Sequence, residues 1–264
     1  MTRTMKLSAV AAALAIGGGL AFSGQAMADK VKATYTDMSA EDYIEYDVEF
    51  KDGSTITNRG TYTGIFNFEG AQNIDDVSPV SGPIDLFNDD QFVSFCIDLE
   101  DTIGPGHHEV TWQLTNLADA PDANAGPMGA TKANDIAKVL GYTIDSGRLN
   151  DARFLSNAKA QAVQAVIWEI VHEKSTNSYD LASGTARFRG LTSGALHQVD
   201  GILAGFGSAT AMQGLVGLSK DGKQDFIGQV PIPAAAWLFG SALVGTAALG
   251  RRRGRDKAKA KAAA

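Results

Sequence analysis

Phe92-Val93-Ser94-Phe95-Cys96-Ile97-Asp98-Leu99 is the stretch on which the reading of this 264-residue chain turns. Val93, Phe95, Ile97 and Leu99 alternate with Phe92, Ser94, Cys96 and Asp98, the period of a strand whose two faces differ. Upstream, Tyr43–Phe50 alternates Ile44, Tyr46, Val48 and Phe50 with acidic or polar residues. Asp52-Gly53 signals a turn into a short strand at 54–58, Thr61–Phe68 reads as another, and a polar loop is expected over 69–90. Val110, Trp112 and Leu114 alternate again. The period then changes. Thr131–Leu140 predicts a short helix stopped by Gly141, and Asn157–Glu173 a longer one capped by Ser156. Val163, Val166, Ile167, Ile170 and Val171 form its core stripe. A Gly-interrupted helix is expected at 192–204, and 215–219 with 224–229 read as a closing hairpin about Asp221-Gly222. The expected fold is mainly β, a barrel or sandwich with inserted helices, flanked by an N-terminal signal helix and a C-terminal transmembrane helix.

Composition narrows the chemistry. One cysteine excludes an internal disulfide, a Cys-based zinc cluster and an iron–sulfur site. No cofactor and no metal are expected. The net charge of −7 is unevenly spread: residues 1–28 carry +2, residues 251–264 carry +6, and 29–250 carries −15. A domain this acidic repels phosphate backbones, which argues against nucleic-acid binding.

The two ends read as addresses. Residues 1–28 have a basic start (Arg3, Lys6), an apolar run from Leu7 to Phe22 and a small-x-small cleavage site, Ala26-Met27-Ala28. They predict a signal peptide and a mature start at Asp29. At the other end Val230-Pro231-Ile232-Pro233 precedes an uncharged run, Ala234–Gly250, closed by Arg251-Arg252-Arg253. As a helix the run spans roughly 26 Å, close to a bilayer core, with the arginines held cytoplasmic. Residues 254–264 are basic and of low complexity, and disorder is expected there. The four parts are therefore 1–28, the working domain 29–229, 230–253 and 254–264.

The string VPIPAAAWLFGSALVGTAALGRRR resembles the PEP-CTERM sorting signal of Gram-negative, exopolysaccharide-making bacteria. Many members have Val-Pro-Glu-Pro, and here Ile232 replaces the acid. The resemblance implies that the chain is a substrate of an exosortase, a membrane transpeptidase, with Val230, Pro231, Pro233 and Arg251–Arg253 as the signal. It implies export to the cell surface or extracellular matrix after a membrane-anchored intermediate, with the exopolysaccharide matrix as surroundings.

A lone cysteine in an exported chain is buried, paired with another molecule, or chemically committed. Ser94-Phe95-Cys96-Ile97-Asp98, together with Ala160-Gln161-Ala162-Val163-Gln164-Ala165-Val166-Ile167-Trp168-Glu169-Ile170, resembles the two motifs of bacterial surface thioester domains. Val163 and Val166 depart from the usual Thr and Ala. The resemblance implies a Cys96–Gln164 thioester shielded by Phe95 and Trp168, and an amine-bearing partner captured by it; such a protein is an adhesin, not an enzyme. Gln161, Gln164, Trp168 and Val171 share one line of the helix surface, so Gln161 is the alternative partner.

Other chemistries compete. Cys96 with His107 or His108 is the minimum of a cysteine hydrolase, but a mid-strand thiol lacks the helix N-terminus that lowers its pKa. Asp75, Asp76, Asp85 and Asn88-Asp89-Asp90 gather oxygen ligands suited to calcium without the spacing of a known calcium loop. A polysaccharide-acting hydrolase, with two of the many acids across a cleft, is the alternative function. An inert structural matrix protein is the third.

Overall fold

A computed structural model describes residues 30–74, 84–104, 107–121, 126–174 and 178–231. Seven strands are present: β1 (Lys30–Glu49), β2 (Thr55–Ile74), β3 (Phe92–Ser94), β4 (His108–Asn116), β5 (Ala186–Arg189), β6 (Leu215–Ser219) and β7 (Phe226–Gln229). Three α-helices accompany them: α1 (Gly129–Thr143), α2 (Asn157–His172) and α3 (Ser193–Gly205).

The sheet runs β3-β2-β1-β4-β6-β7, every neighbour antiparallel, with β5 also on β1. Beyond β3 the chain at 95–97 reaches the far edge. Ile227 donates its N–H to the Phe95 carbonyl and Ile97 donates to Asp225, each at 3.0 Å, around a Cys96–Phe226 bridge. These bonds nearly close the sheet into a barrel, and they place Cys96 on the seam. Closure removes an edge that would otherwise expose unpaired main chain.

β1 and β2 form a long hairpin interrupted by four register shifts. Such bulges bend a ribbon, which lets one strand serve two neighbours. Residues 30–35 of β1 pair with β4, and residues 45–48 pair with β5. Gly64 lies in this bent region at φ +151°, where a Cβ would come within 2.8 Å of the Ser39 carbonyl. Inside the barrel Phe68 stacks on Phe92 at 4.7 Å and meets Trp112 and Phe226 edge-on.

Helix α2 is buried on every side from Ala160 to His172, since it packs on β1, β2 and β5 and is covered by α1 and α3. Ser156 caps it as expected, its Oγ accepting from Lys159 N at 3.4 Å, and Thr192 caps α3 in the same way. A helix covered on every side has no solvent face, and its polar side chains, Gln161, Gln164 and Glu169 among them, bond inside the fold. The expected surface line of Gln161, Gln164, Trp168 and Val171 is thus a second buried face.

The sequence reading needs several corrections. Residues 30–42 belong to β1, where no strand was expected. The strands expected at 54–58 and 61–68 are one, and it runs to Ile74 instead of yielding to a loop at 69. The long strand expected over 92–99 pairs with β2 only as far as Ser94, because residues 95–97 leave that neighbour and pair with the chain at 225–227 instead. Helix α1 passes through Gly141 without stopping. Gly141 serves close packing, since a Cβ there would collide with the Thr210 carbonyl. β5 was not foreseen. Among the described residues no helix is long and apolar enough to cross a membrane. The signal peptide 1–28, Pro233, Ala234–Gly250, Arg251–Arg253 and the tail 254–264 lie outside the described residues. Val230 and Pro231 lie inside them: Val230 donates its N–H to Gly214 at 2.8 Å, and Pro231 is exposed.

Candidate functional site

Cys96 is fully buried at the barrel seam, and α2 passes over it. Residue 96 of the closing segment pairs with β7 on one side. On its other side no strand follows, so its N–H and C=O need partners from elsewhere. Gln164 supplies both. Cys96 N donates to Gln164 Oε1 at 2.9 Å, and Gln164 Nε2 donates to Cys96 O at 2.8 Å. One carboxamide thus acts as the missing neighbouring strand. Gln164 itself is fully buried.

Gln161 goes elsewhere. Its Nε2 donates to the Ala40 carbonyl in β1 at 3.3 Å. Of the two glutamines weighed from the sequence, Gln164 is the one brought to Cys96.

The sulfur has its own surroundings. Sγ donates to the Asp98 carbonyl at 2.7 Å and accepts from Asp98 N at 3.2 Å. Gln224 Nε2 donates to it at 2.9 Å. Gln224 is fixed in turn, its Oε1 accepting from Ile103 N and its main-chain carbonyl from Trp112 Nε1. Trp168 Nε1 is buried without a well-formed hydrogen bond. It lies near enough to the sulfur to favour the thiolate slightly, and its ring stacks on Phe188 at 6.2 Å. Phe95 is fully buried beside it in the chain.

Electrostatics hold this thiol neutral. Burial pushes the Cys96 thiol well above its ordinary value, and the nearby Asp98 carboxylate adds to the rise. Asp98 is itself pushed up to about 7, chiefly by burial and further by Asp225 and Asp101. Its Oδ1 accepts from Glu100 N at 2.7 Å, while Oδ2 is buried without a partner. Tyr46 closes the far side, donating its hydroxyl to the Leu99 carbonyl at 2.8 Å.

Two members of this site, Gln224 and Asp98, were not singled out from the sequence. Asp98 stood in the quoted motif and was read only as a polar face. Gln224 had no local signal, because barrel closure alone brings it to Cys96 from 128 residues away. His107 and His108 are exposed while Cys96 is sealed, so no cysteine–histidine pair forms. Of the acidic loop, Asp75 and Asp76 lie outside the described residues. Asp85 is held by Arg148 through two hydrogen bonds of 3.1 and 3.2 Å. Among the described residues no cluster of His, Cys, Asp or Glu is placed to hold a metal ion. Compared with protein-family models, with curated proteins and with solved structures, the chain finds no match.

Proposed function

We propose that this chain is an exported surface or matrix protein, processed by an exosortase at 230–253, whose domain forms an internal Cys96–Gln164 thioester and uses it as a covalent adhesin. The observation that carries this reading is the direct meeting of the Gln164 carboxamide with Cys96 in a fully buried seam. Sulfur adds to Cδ of Gln164, the Cδ–Nε2 bond breaks, and the thiol proton leaves with the nitrogen as ammonia. The negative charge of the tetrahedral intermediate falls on Oε1. That oxygen already accepts from Cys96 N at 2.9 Å, within the range of an oxyanion donor. Attack requires sulfur to reach Cδ over a face of the carboxamide. Gln224 Nε2 supports the sulfur as its proton departs. A partner amine then takes the acyl group as an amide and regenerates the thiol. The burial of Cys96 makes the bond latent, because the amine must open the seam first.

A second reading rests on the same hydrogen bonds. Both polar atoms of the Gln164 side chain are already satisfied by main chain, which is what a purely structural glutamine would show. The protein is then a packed matrix protein with an inert thiol. Methylamine separates the two. On the thioester reading, native Cys96 resists iodoacetamide until methylamine is added and then becomes alkylated. On the structural reading methylamine changes nothing. The hydrolase alternative draws less support. A cavity of about 520 Å³ carries Asp85 and Asp145, but Asp85 is already engaged by Arg148 at 3.1 Å.

A further inference from the structure

A second, smaller cavity of about 180 Å³ opens where β1, α1 and the end of α2 meet. Its walls include Lys51, Lys132, His172 and Lys174, with Glu49 and Glu173. Three lysines against two glutamates make a positive pocket in a domain whose overall charge is strongly negative. His172 lines it at 6% exposure, and neither Nδ1 nor Nε2 has a hydrogen-bond partner. Only the edge of its ring is supported, against Phe50 at 5.8 Å. Burying an imidazole with both nitrogens unsatisfied is costly and calls for a polar group in the adjoining space.

Lys132 is similarly placed, at 8% exposure. Its Nζ donates to the Val171 and Glu173 carbonyls at 2.8 and 2.5 Å, capping the end of α2. Two of its three N–H groups are thus used, and one is left. Lys51 Nζ donates to Pro127 O at the rim. The acids nearby are engaged: Glu49 pairs with Lys174 at 2.6 Å, and Glu173 Oε2 accepts from Thr185 N at 2.7 Å.

We propose that this cavity is an anion site, in which Lys132, Lys51 and His172 seat a single oxyanion head group, a carboxylate or a phosphate. The volume accommodates one such group. A uronic-acid carboxylate and inorganic phosphate share this chemistry. The site is independent of the thioester, since it lies at the far end of α2 from Gln164 and uses none of the same side chains.

Burial keeps His172 neutral, lowering its pKa to about 3, helped by the charges of Lys132 and Lys51. Burial, with Lys51, also lowers Lys132 to about 8, while Glu173 and Glu169 act the other way. A bound anion offsets the repulsion among these groups, so binding weakens as pH rises past about 8 and Lys132 loses its charge.

The test is titration of the full chain with sodium phosphate, sodium glucuronate and glucose, followed through the His172 ring resonances in nitrogen-edited NMR. Saturable shifts with phosphate, glucuronate or both, and none with glucose, support the site; which anion binds names its source. Lys51→Ala, a rim change that leaves the core intact, should weaken binding about tenfold, the loss of one charge-assisted contact. Cys96→Ala should leave binding unchanged. No saturable shift with either anion, or equal shifts with glucose, would overturn the proposal and leave the cavity to water.

Discussion

If the Gln164 side chain completes the main chain of residue 96, removing it must be expensive even where no thioester can form. The comparison is therefore made in a Cys96→Ala background, between that variant and Cys96→Ala/Gln164→Ala. Two buried main-chain groups lose their partners, the N–H and C=O bonded at 2.9 and 2.8 Å. Each orphaned group costs about 1–3 kcal/mol. A void remains in a fully buried site, although deleting the amide also removes its own desolvation. The expected loss is about 3–5 kcal/mol. Gln161→Ala in the same background removes one bond of 3.3 Å at the edge of the helix packing, worth about 0.5–1 kcal/mol. Urea unfolding followed by tryptophan fluorescence measures both. Equal losses below 1 kcal/mol would mean that Gln164 does not hold the seam and that its placement over Cys96 is incidental.

Three further outcomes are expected. Ile167→Ala should destabilise the domain by about 2–5 kcal/mol in the same unfolding assay, because Ile167 has no exposed surface. Stability should fall as pH rises from 6.5 to 8: burial raises Glu169 to about 8 and Asp98 to about 7, so over this window the folded chain keeps protons that the unfolded chain has already released. His172, lowered to about 3, and Lys132, lowered to about 8, act in the opposite sense, but His172 mainly below its unfolded value of about 6.5 and Lys132 mainly above pH 8, so neither masks the effect. Glu169 alone contributes about 2 kcal/mol across the window, and Glu169→Gln should flatten the slope in urea titrations at a series of pH values. Replacing Pro231 and Pro233 together should retain the protein in the inner membrane by fractionation, and release equal to wild type would reduce 230–253 to a plain anchor.

Much of this architecture was legible wherever a short period carried it. Ser156 and the apolar spacing of 157–172 foretold α2, and the turn at Asp221-Gly222 foretold the β6–β7 hairpin. Val93, Phe95, Ile97, Leu99, Val163, Ile167 and Ile170 are all buried, as the alternation and the helical stripe required. The front half of β1 went unread although Val31, Ala33 and Tyr35 alternate with Lys30, Lys32 and Thr34, because the polar stretch from Thr36 to Asp42 separates them from the clear pattern after Tyr43, and bulges shift the register along it. The all-round burial of α2 was hidden because glutamines at 161 and 164 and Glu169 look like a solvent face. Each instead has a main-chain partner, at Ala40, Cys96 and Asp180. Gln224 reached the cysteine only through closure of the barrel, a long-range event that no window of sequence records. His172 and Lys132 come together through the packing of α1 on α2, for the same reason.

The central claim is the bond between Cys96 and Gln164, and intact mass spectrometry of the natively purified chain tests it most directly. The account predicts a mass lower than that of the processed sequence by one ammonia, a deficit abolished by Cys96→Ala and by Gln164→Ala and kept by Gln161→Ala. Methylamine should add its own mass to the thioester form, leaving the chain heavier than the full sequence by one CH2. The full sequence mass, unchanged by either glutamine substitution beyond the substitution itself, would contradict the claim.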